Sequence, residues 1–97
     1  MMTDIQNLIA LLDIAQKAID LNACEDQRKQ DASALRERYN EYRRARNYIP
    51  AEGDEWEDIK ENTKGLYDLV QASRREERNA RRRLASAIRR YRNGEVA

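Results

Sequence analysis

The strongest constraint on this chain is a heptad pattern that runs without interruption from Thr3 to Pro50. No glycine or proline lies between these two residues, so nothing in the backbone breaks a long helix there. Residues at alternating spacings of three and four form one seam, as in a helix that packs lengthwise against another helix. The predicted seam consists of Leu11, Ile14, Ala18, Leu21, Glu25, Arg28, Ala32, Leu35, Tyr39, Tyr42, Arg46 and Ile49. The pattern predicts a first helix over about residues 3–48.

A second seam follows the segment 50–53. Pro50 restricts the residue before it and Gly53 tolerates positive φ, so a turn is expected at about residues 49–54. Asn93 and Gly94 form a C-cap signal that ends the second helix near residue 93. The second seam consists of Trp56, Ile59, Thr63, Leu66, Val70, Ser73, Glu77, Ala80, Leu84, Ala87 and Tyr91. We predict one all-α domain over residues 1–97, folded as an antiparallel helical hairpin that resembles a coiled coil.

The charge distribution favours the antiparallel arrangement. Residues 1–31 hold six acids and three bases, whereas residues 74–92 hold nine arginines and two acids. Residues 36–46 hold five arginines and two acids, whereas residues 52–68 hold seven acids and two lysines. Folding the chain back at residue 51 therefore brings segments of opposite charge side by side.

The N-terminal part of the first helix carries more apolar surface than one partner helix covers. A second apolar stripe runs about 100° around the helix from the seam. It consists of Ile5, Leu8, Leu12, Ala15 and Ile19, with Ile9 beside it. We predict that these six residues bind another protein or a second copy of the chain, because contiguous apolar patches are rarely left bare on soluble monomers. Ile88 and Tyr91 would widen the same surface.

A three-helix bundle is the alternative architecture. In that fold the first helix breaks near residue 22, within the segment Asn22–Asp26, and its N-terminal part folds back on the rest of the chain. The second apolar stripe would then lie in an intramolecular core. No glycine or proline in the segment enforces such a break.

Arginine is the other conspicuous feature, with fifteen arginines and four lysines in the chain. The arginine cluster of the second helix is the predicted contact for an acidic protein partner or for nucleic acid. Its residues are Arg74, Arg75, Arg78, Arg81, Arg82, Arg83, Arg89 and Arg90. Because the net charge is only +1, nucleic acid is the less favoured partner.

Composition argues against most enzyme chemistry. The 97 residues include no histidine and one cysteine, so histidine-based catalytic groups, Cys/His zinc sites and disulfides within one chain lack their residues. No glycine-rich phosphate loop is present. We predict a protein that is not an enzyme, with no catalytic, cofactor-binding or metal-binding residues and no cofactor.

The N-terminal apolar stretch does not suit a membrane span or a signal peptide. Asp4, Asp13, Lys17 and Asp20 interrupt it, and it lacks the basic start of a secretory signal. We therefore expect a cytoplasmic protein with no membrane partner.

These features together predict a non-enzymatic protein–protein interaction protein, such as a small adaptor or an inhibitor that binds a larger protein. The alternatives are an arginine-rich nucleic-acid-binding regulator and a self-associating structural coiled-coil subunit. The chain is short, rich in arginine and free of histidine, and in this composition it resembles the accessory proteins made by temperate bacteriophages or mobile elements. That resemblance implies action by binding a host enzyme.

Overall fold

The fold is an all-α antiparallel helical hairpin, as the heptad pattern predicts. In the computed structural model, which describes residues 2–46 and 53–95, helix α1 spans Asp4–Arg46 and helix α2 spans Asp54–Arg92. The alternative three-helix bundle is wrong, because α1 continues through residues 22–26 without a break. Most of the predicted turn, including Pro50, lies outside the described residues.

Side-chain hydrogen bonds define the start of α1. The backbone N–H of Gln6 donates to Thr3 Oγ1 at 3.1 Å, and the Thr3 N–H donates to Gln6 Oε1 at 3.0 Å. This reciprocal capping box satisfies two backbone donors that a helix start leaves without partners. The apolar residues that begin at Ile5 are therefore helical from the first turn.

Two glycines with positive φ bound α2. Gly53, at φ 108°, precedes the helix, and its carbonyl accepts the Glu57 N–H at 3.0 Å. Gly94, at φ 72°, follows the helix and donates to the Tyr91 carbonyl at 3.0 Å, while Glu95 N–H donates to the Arg90 carbonyl at 2.9 Å. The last two bonds form a Schellman motif, which confirms the C-cap predicted at Asn93 and Gly94.

The chain divides into two compact units. The terminal unit comprises Met1–Asp26 and Arg75–Ala97, and the central unit comprises Gln27–Arg74. In the terminal unit the buried apolar residues are the small side chains Ala10, Ala80 and Ala87. Small residues in a helix–helix contact let the two helices approach closely, so this unit has a thin core.

Larger side chains form the core of the central unit. Ile59 and Val70 are buried, and the rings of Tyr39 and Trp56 stack with centroids 6.4 Å apart. Thr63 is also buried, and its hydroxyl donates to the Ile59 carbonyl at 2.7 Å. A hydroxyl bonded back to its own helix can be buried without an unsatisfied donor.

The predicted seam of α2 is confirmed, whereas that of α1 is partly wrong. All eleven predicted α2 residues are buried or half-buried. In α1, Ile14 and Leu21 are half-buried as predicted, but Leu11 and Ala18 are exposed. The other predicted residues of α1 whose burial is described are half-buried as well: Glu25, Arg28, Ala32, Leu35, Tyr39 and Tyr42. The two buried residues in the described part of α1, Ala10 and Asp31, each lie one residue before a predicted seam position. Because Ala10, Ala80 and Ala87 are small, burying them lets the helices of the terminal unit approach more closely than burying Leu11 would.

A buried polar pair adds Asp31 to the inward face of α1 in the central unit. The Ser73 hydroxyl donates to Asp31 Oδ2, and Gln27 Nε2 donates to Asp31 Oδ1 at 3.0 Å. Both Asp31 and Ser73 are buried. Burial of a carboxylate is tolerated only when hydrogen bonds replace its water, and Ser73 supplies one of them. Asp31 therefore faces inward, whereas its neighbour Ala32 is half-buried.

Gly65 provides a test of how much an exposed glycine in its interior destabilises α2. It is exposed in the helix interior, and a Cβ added there would meet no atom within 4 Å. We expect Gly65→Ala to raise the free energy of unfolding by about 0.5–1 kcal/mol, because alanine restricts the unfolded chain and favours helix. Urea unfolding followed by circular dichroism measures this change. A destabilised variant would indicate that the position is crowded.

Candidate interaction surfaces

The second apolar stripe is exposed in the terminal unit. Ile5, Leu8, Ile9, Leu12 and Ile19 have between 56% and 73% of their surface exposed, and Ala15 is exposed as well. Leu11, which the sequence pattern assigned to the seam, is 42% exposed and lies beside the stripe. The residues predicted to bind a partner therefore form one continuous solvent-facing surface, and Leu11 extends it.

The stripe lies opposite the face of α1 that is buried in the same unit. Leu12 and the buried Ala10 are two residues apart, which places them about 160° apart around the helix axis. Lys17 is half-buried on the same side as Ala10. Packing inside the terminal unit therefore does not compete with contacts to the stripe.

No charged residue lies on or directly beside the stripe between Ile5 and Ile19. In heptad terms the flanking positions hold Ile9, Leu11, Gln16 and Ala18. The charged residues of this segment, Asp13 and Lys17, lie off the stripe and pair with each other, with Nζ and Oδ1 2.5 Å apart. A face that is uncharged at four of the seven heptad positions is wider than a narrow two-helix seam.

Asp20, just beyond the stripe, accepts a hydrogen bond from Gln16 Nε2 at 3.0 Å. This bond holds the long Gln16 side chain along the edge of the stripe. The uncharged surface ends at Ala23, after which the same heptad positions carry Asp26 and Lys29.

The arginine cluster lies on α2, and all eight of its residues are exposed. Arg75, Arg78, Arg82 and Arg89 follow spacings of three, four and seven residues, so they share the outward face of the helix. Arg81 lies 3.9 Å from Glu77, measured between Nη1 and Oε2, and Glu77 is buried. Ile88 is 38% exposed within this basic surface. The terminal unit therefore presents an uncharged apolar face on α1 and a basic face on α2.

The central unit holds a shallow groove next to the stacked rings. Its lining includes Tyr39, Trp56, Lys60, Lys64 and Tyr67. The lining also includes Glu57, Glu61, Thr63 and Asp68, so the groove carries acidic as well as basic side chains. The position of Trp56 at the start of the second seam predicts packing against Tyr48 and Ile49, which lie outside the described residues; in the part that is described, its ring stacks on that of Tyr39.

Within residues 2–46 and 53–95, no three side chains of the metal-binding types are grouped so that they could hold a metal ion. Neither helix in this part of the chain is long and apolar enough to cross a membrane.

Comparisons with known proteins give no match from which a function could be inferred. No protein-family model matches this sequence, and no curated protein or solved structure matches it either.

Proposed function

We propose that this chain is a non-enzymatic protein-interaction protein that docks through the second apolar stripe. The observation that supports the proposal is the exposure of Ile5, Leu8, Leu12 and Ile19 on the side of α1 that faces away from the buried Ala10. Water-exposed leucine and isoleucine side chains in one row gain free energy when another apolar surface covers them.

The chemistry of the stripe specifies the kind of partner. Because no charge lies on or beside it between Ile5 and Ile19, it offers no ion pair to a polar surface. Its row of side chains at helical spacing fits the apolar face of another helix, as in helix–helix docking. In this role the chain is a small adaptor or inhibitor, and the arginine cluster gives a further contact that favours acidic protein surfaces.

Affinity capture with a matched variant tests the proposal. The immobilised wild-type chain should retain its partner, whereas Leu8→Glu/Leu12→Glu should not, because two carboxylates would be buried without partners. Each retained protein is then purified and its binding measured directly against both forms. If wild type and variant have the same binding partners and the same mass in solution, the stripe is not a docking surface.

The exposure of the arginine cluster makes nucleic-acid binding the second candidate function. We expect no tight binding to duplex DNA at physiological salt, because the net charge of +1 leaves little long-range attraction for phosphates. A gel-shift titration at increasing salt measures this. Sub-micromolar binding that disappears in Arg81→Ala/Arg82→Ala/Arg83→Ala would instead establish the nucleic-acid function.

A further inference from the structure

The second apolar stripe is suited to pair with itself, and we propose that it packs antiparallel against the same stripe of a second copy of this chain. This inference rests on the proposed function, because it names the partner of the surface described above. Three features of α1 support it: the uncharged flanks of the stripe, the position of the stripe at the start of the helix, and the charges beyond it.

The uncharged flanks favour a partner of the same kind. In paired helices the positions beside the seam normally carry charges that select the partner, and here those between Ile5 and Ile19 hold Ile9, Leu11, Gln16 and Ala18, with Asp4 only at the outer end. A partner face that is itself uncharged and apolar covers such flanks without burying unpaired charges of its own. A second copy supplies that face, and a two-fold axis makes both halves of the contact identical.

The charges beyond the stripe select the antiparallel orientation. The heptad positions that form the stripe continue with Asp26, Lys29 and Arg36, all of which are exposed. Parallel helices in register would set each of these residues against its own copy, and like charges in direct opposition repel. The capping box of Thr3 and Gln6 places the start of α1 directly before Ile5. Two antiparallel helices that are centred on the stripe therefore overlap only over the first part of α1, and the charged residues beyond the stripe stay outside the contact.

The side chains of the stripe suit an antiparallel register. With the two-fold axis midway between Leu12 and Ala15, Leu8 of one copy lies opposite Ile19 of the other. The small Ala15 then lies near Leu12 of the other copy, so a large side chain meets a small one. In the parallel arrangement Leu8 would instead face Leu8, and Ile19 would face Ile19.

Disulfide trapping distinguishes these arrangements. Cys24 is the one natural cysteine and is half-buried on the side of α1 away from the stripe, so Cys24→Ser provides the background. Leu8→Cys and Ile19→Cys are made separately in that background, given different affinity tags, mixed, and oxidised. Ser33→Cys, at an exposed polar position of the same helix, is the matched control.

The antiparallel pair predicts a mixed disulfide between position 8 and position 19. It should exceed either same-site disulfide by roughly tenfold, since a disulfide needs Cα atoms about 4.4–6.8 Å apart and same-site pairs would be roughly 16 Å apart. The Ser33→Cys control should not cross-link. Same-site disulfides at positions 8, 19 and 33 would show parallel packing and overturn the orientation.

Light scattering on the unmodified chain provides the second measurement. We expect a mass of twice 11.4 kDa at micromolar concentrations. A monomer at all concentrations overturns the pairing of two copies, with or without cross-links. That result would not decide the proposed function, which fails only if binding of purified foreign partners is also unaffected by Leu8→Glu/Leu12→Glu.

Discussion

Replacing Ile59 by alanine should lower the free energy of unfolding by about 2–5 kcal/mol. Ile59 is 0% exposed and is the largest fully buried apolar side chain among the described residues. The substitution leaves a cavity in the core of the central unit, where the other buried apolar side chain among the described residues is Val70.

Leu69→Ala is the matched control for this prediction. Leu69 lies on the same helix in the same unit but is 48% exposed, so its truncation should cost less than about 1 kcal/mol. Urea unfolding followed by circular dichroism measures both variants against wild type. Equal losses would mean that the stability of the hairpin does not depend on the core around Ile59.

Sequence reasoning predicts α2 better than α1, and the number of competing stripes explains the difference. The seam of α2 from Trp56 to Tyr91 is the only apolar stripe in that helix, so the pattern assigns its inward face without ambiguity. Its C-terminal end is also predictable, because Asn93 and Gly94 form a local signal that does not depend on tertiary packing.

The N-terminal part of α1 contains two apolar stripes, and its sequence does not indicate which of them packs against α2. Both Leu11 and Leu12 belong to rows with helical spacing, and either row could face a partner helix. The choice depends on the packing of the terminal unit as a whole, in which the small residues Ala10, Ala80 and Ala87 are the buried apolar ones. The sequence of α1 taken alone therefore predicts the exposed stripe, but it does not predict that Leu11 belongs to the same exposed surface.

Asp31 is the clearest residue that the pattern misses. An apolar seam favours Ala32 over a charged neighbour, yet the structure buries Asp31. The cause is its hydrogen bond with Ser73, a residue 42 positions further along the chain. Periodicity measures average hydrophobicity and contains no information about such a specific partner.

Replacing Leu8 and Leu12 together by glutamate should abolish association while leaving the hairpin folded. Each leucine or isoleucine contributes about 1.5–3 kcal/mol on full burial, and these two are 57% and 61% exposed before association. In a pair of identical chains the substitution removes four such side chains, or about 4–7 kcal/mol. The dissociation constant should therefore rise roughly a thousandfold or more.

The folded hairpin should tolerate the same substitution. Both positions face away from the buried Ala10, so no packing inside the terminal unit is lost. The new carboxylates, at a spacing of four residues from each other and from Asp4, repel by about 0.2–0.5 kcal/mol per pair, which is small beside the stability of the hairpin. We expect unchanged helicity and a melting temperature that no longer rises with protein concentration, whereas that of wild type does.

Gln30→Glu/Ser33→Glu is the control for charge, because it adds the same two carboxylates at exposed polar positions of α1. This control should keep the mass and the concentration-dependent melting of wild type. If Leu8→Glu/Leu12→Glu unfolds instead, the stripe belongs to an intramolecular core.

The free energy of association also requires an apolar partner. Burial of one stripe alone gains roughly 5–9 kcal/mol, which is comparable to the cost of association of about 4–15 kcal/mol. A partner must therefore contribute apolar surface of its own, and a second copy doubles the gain.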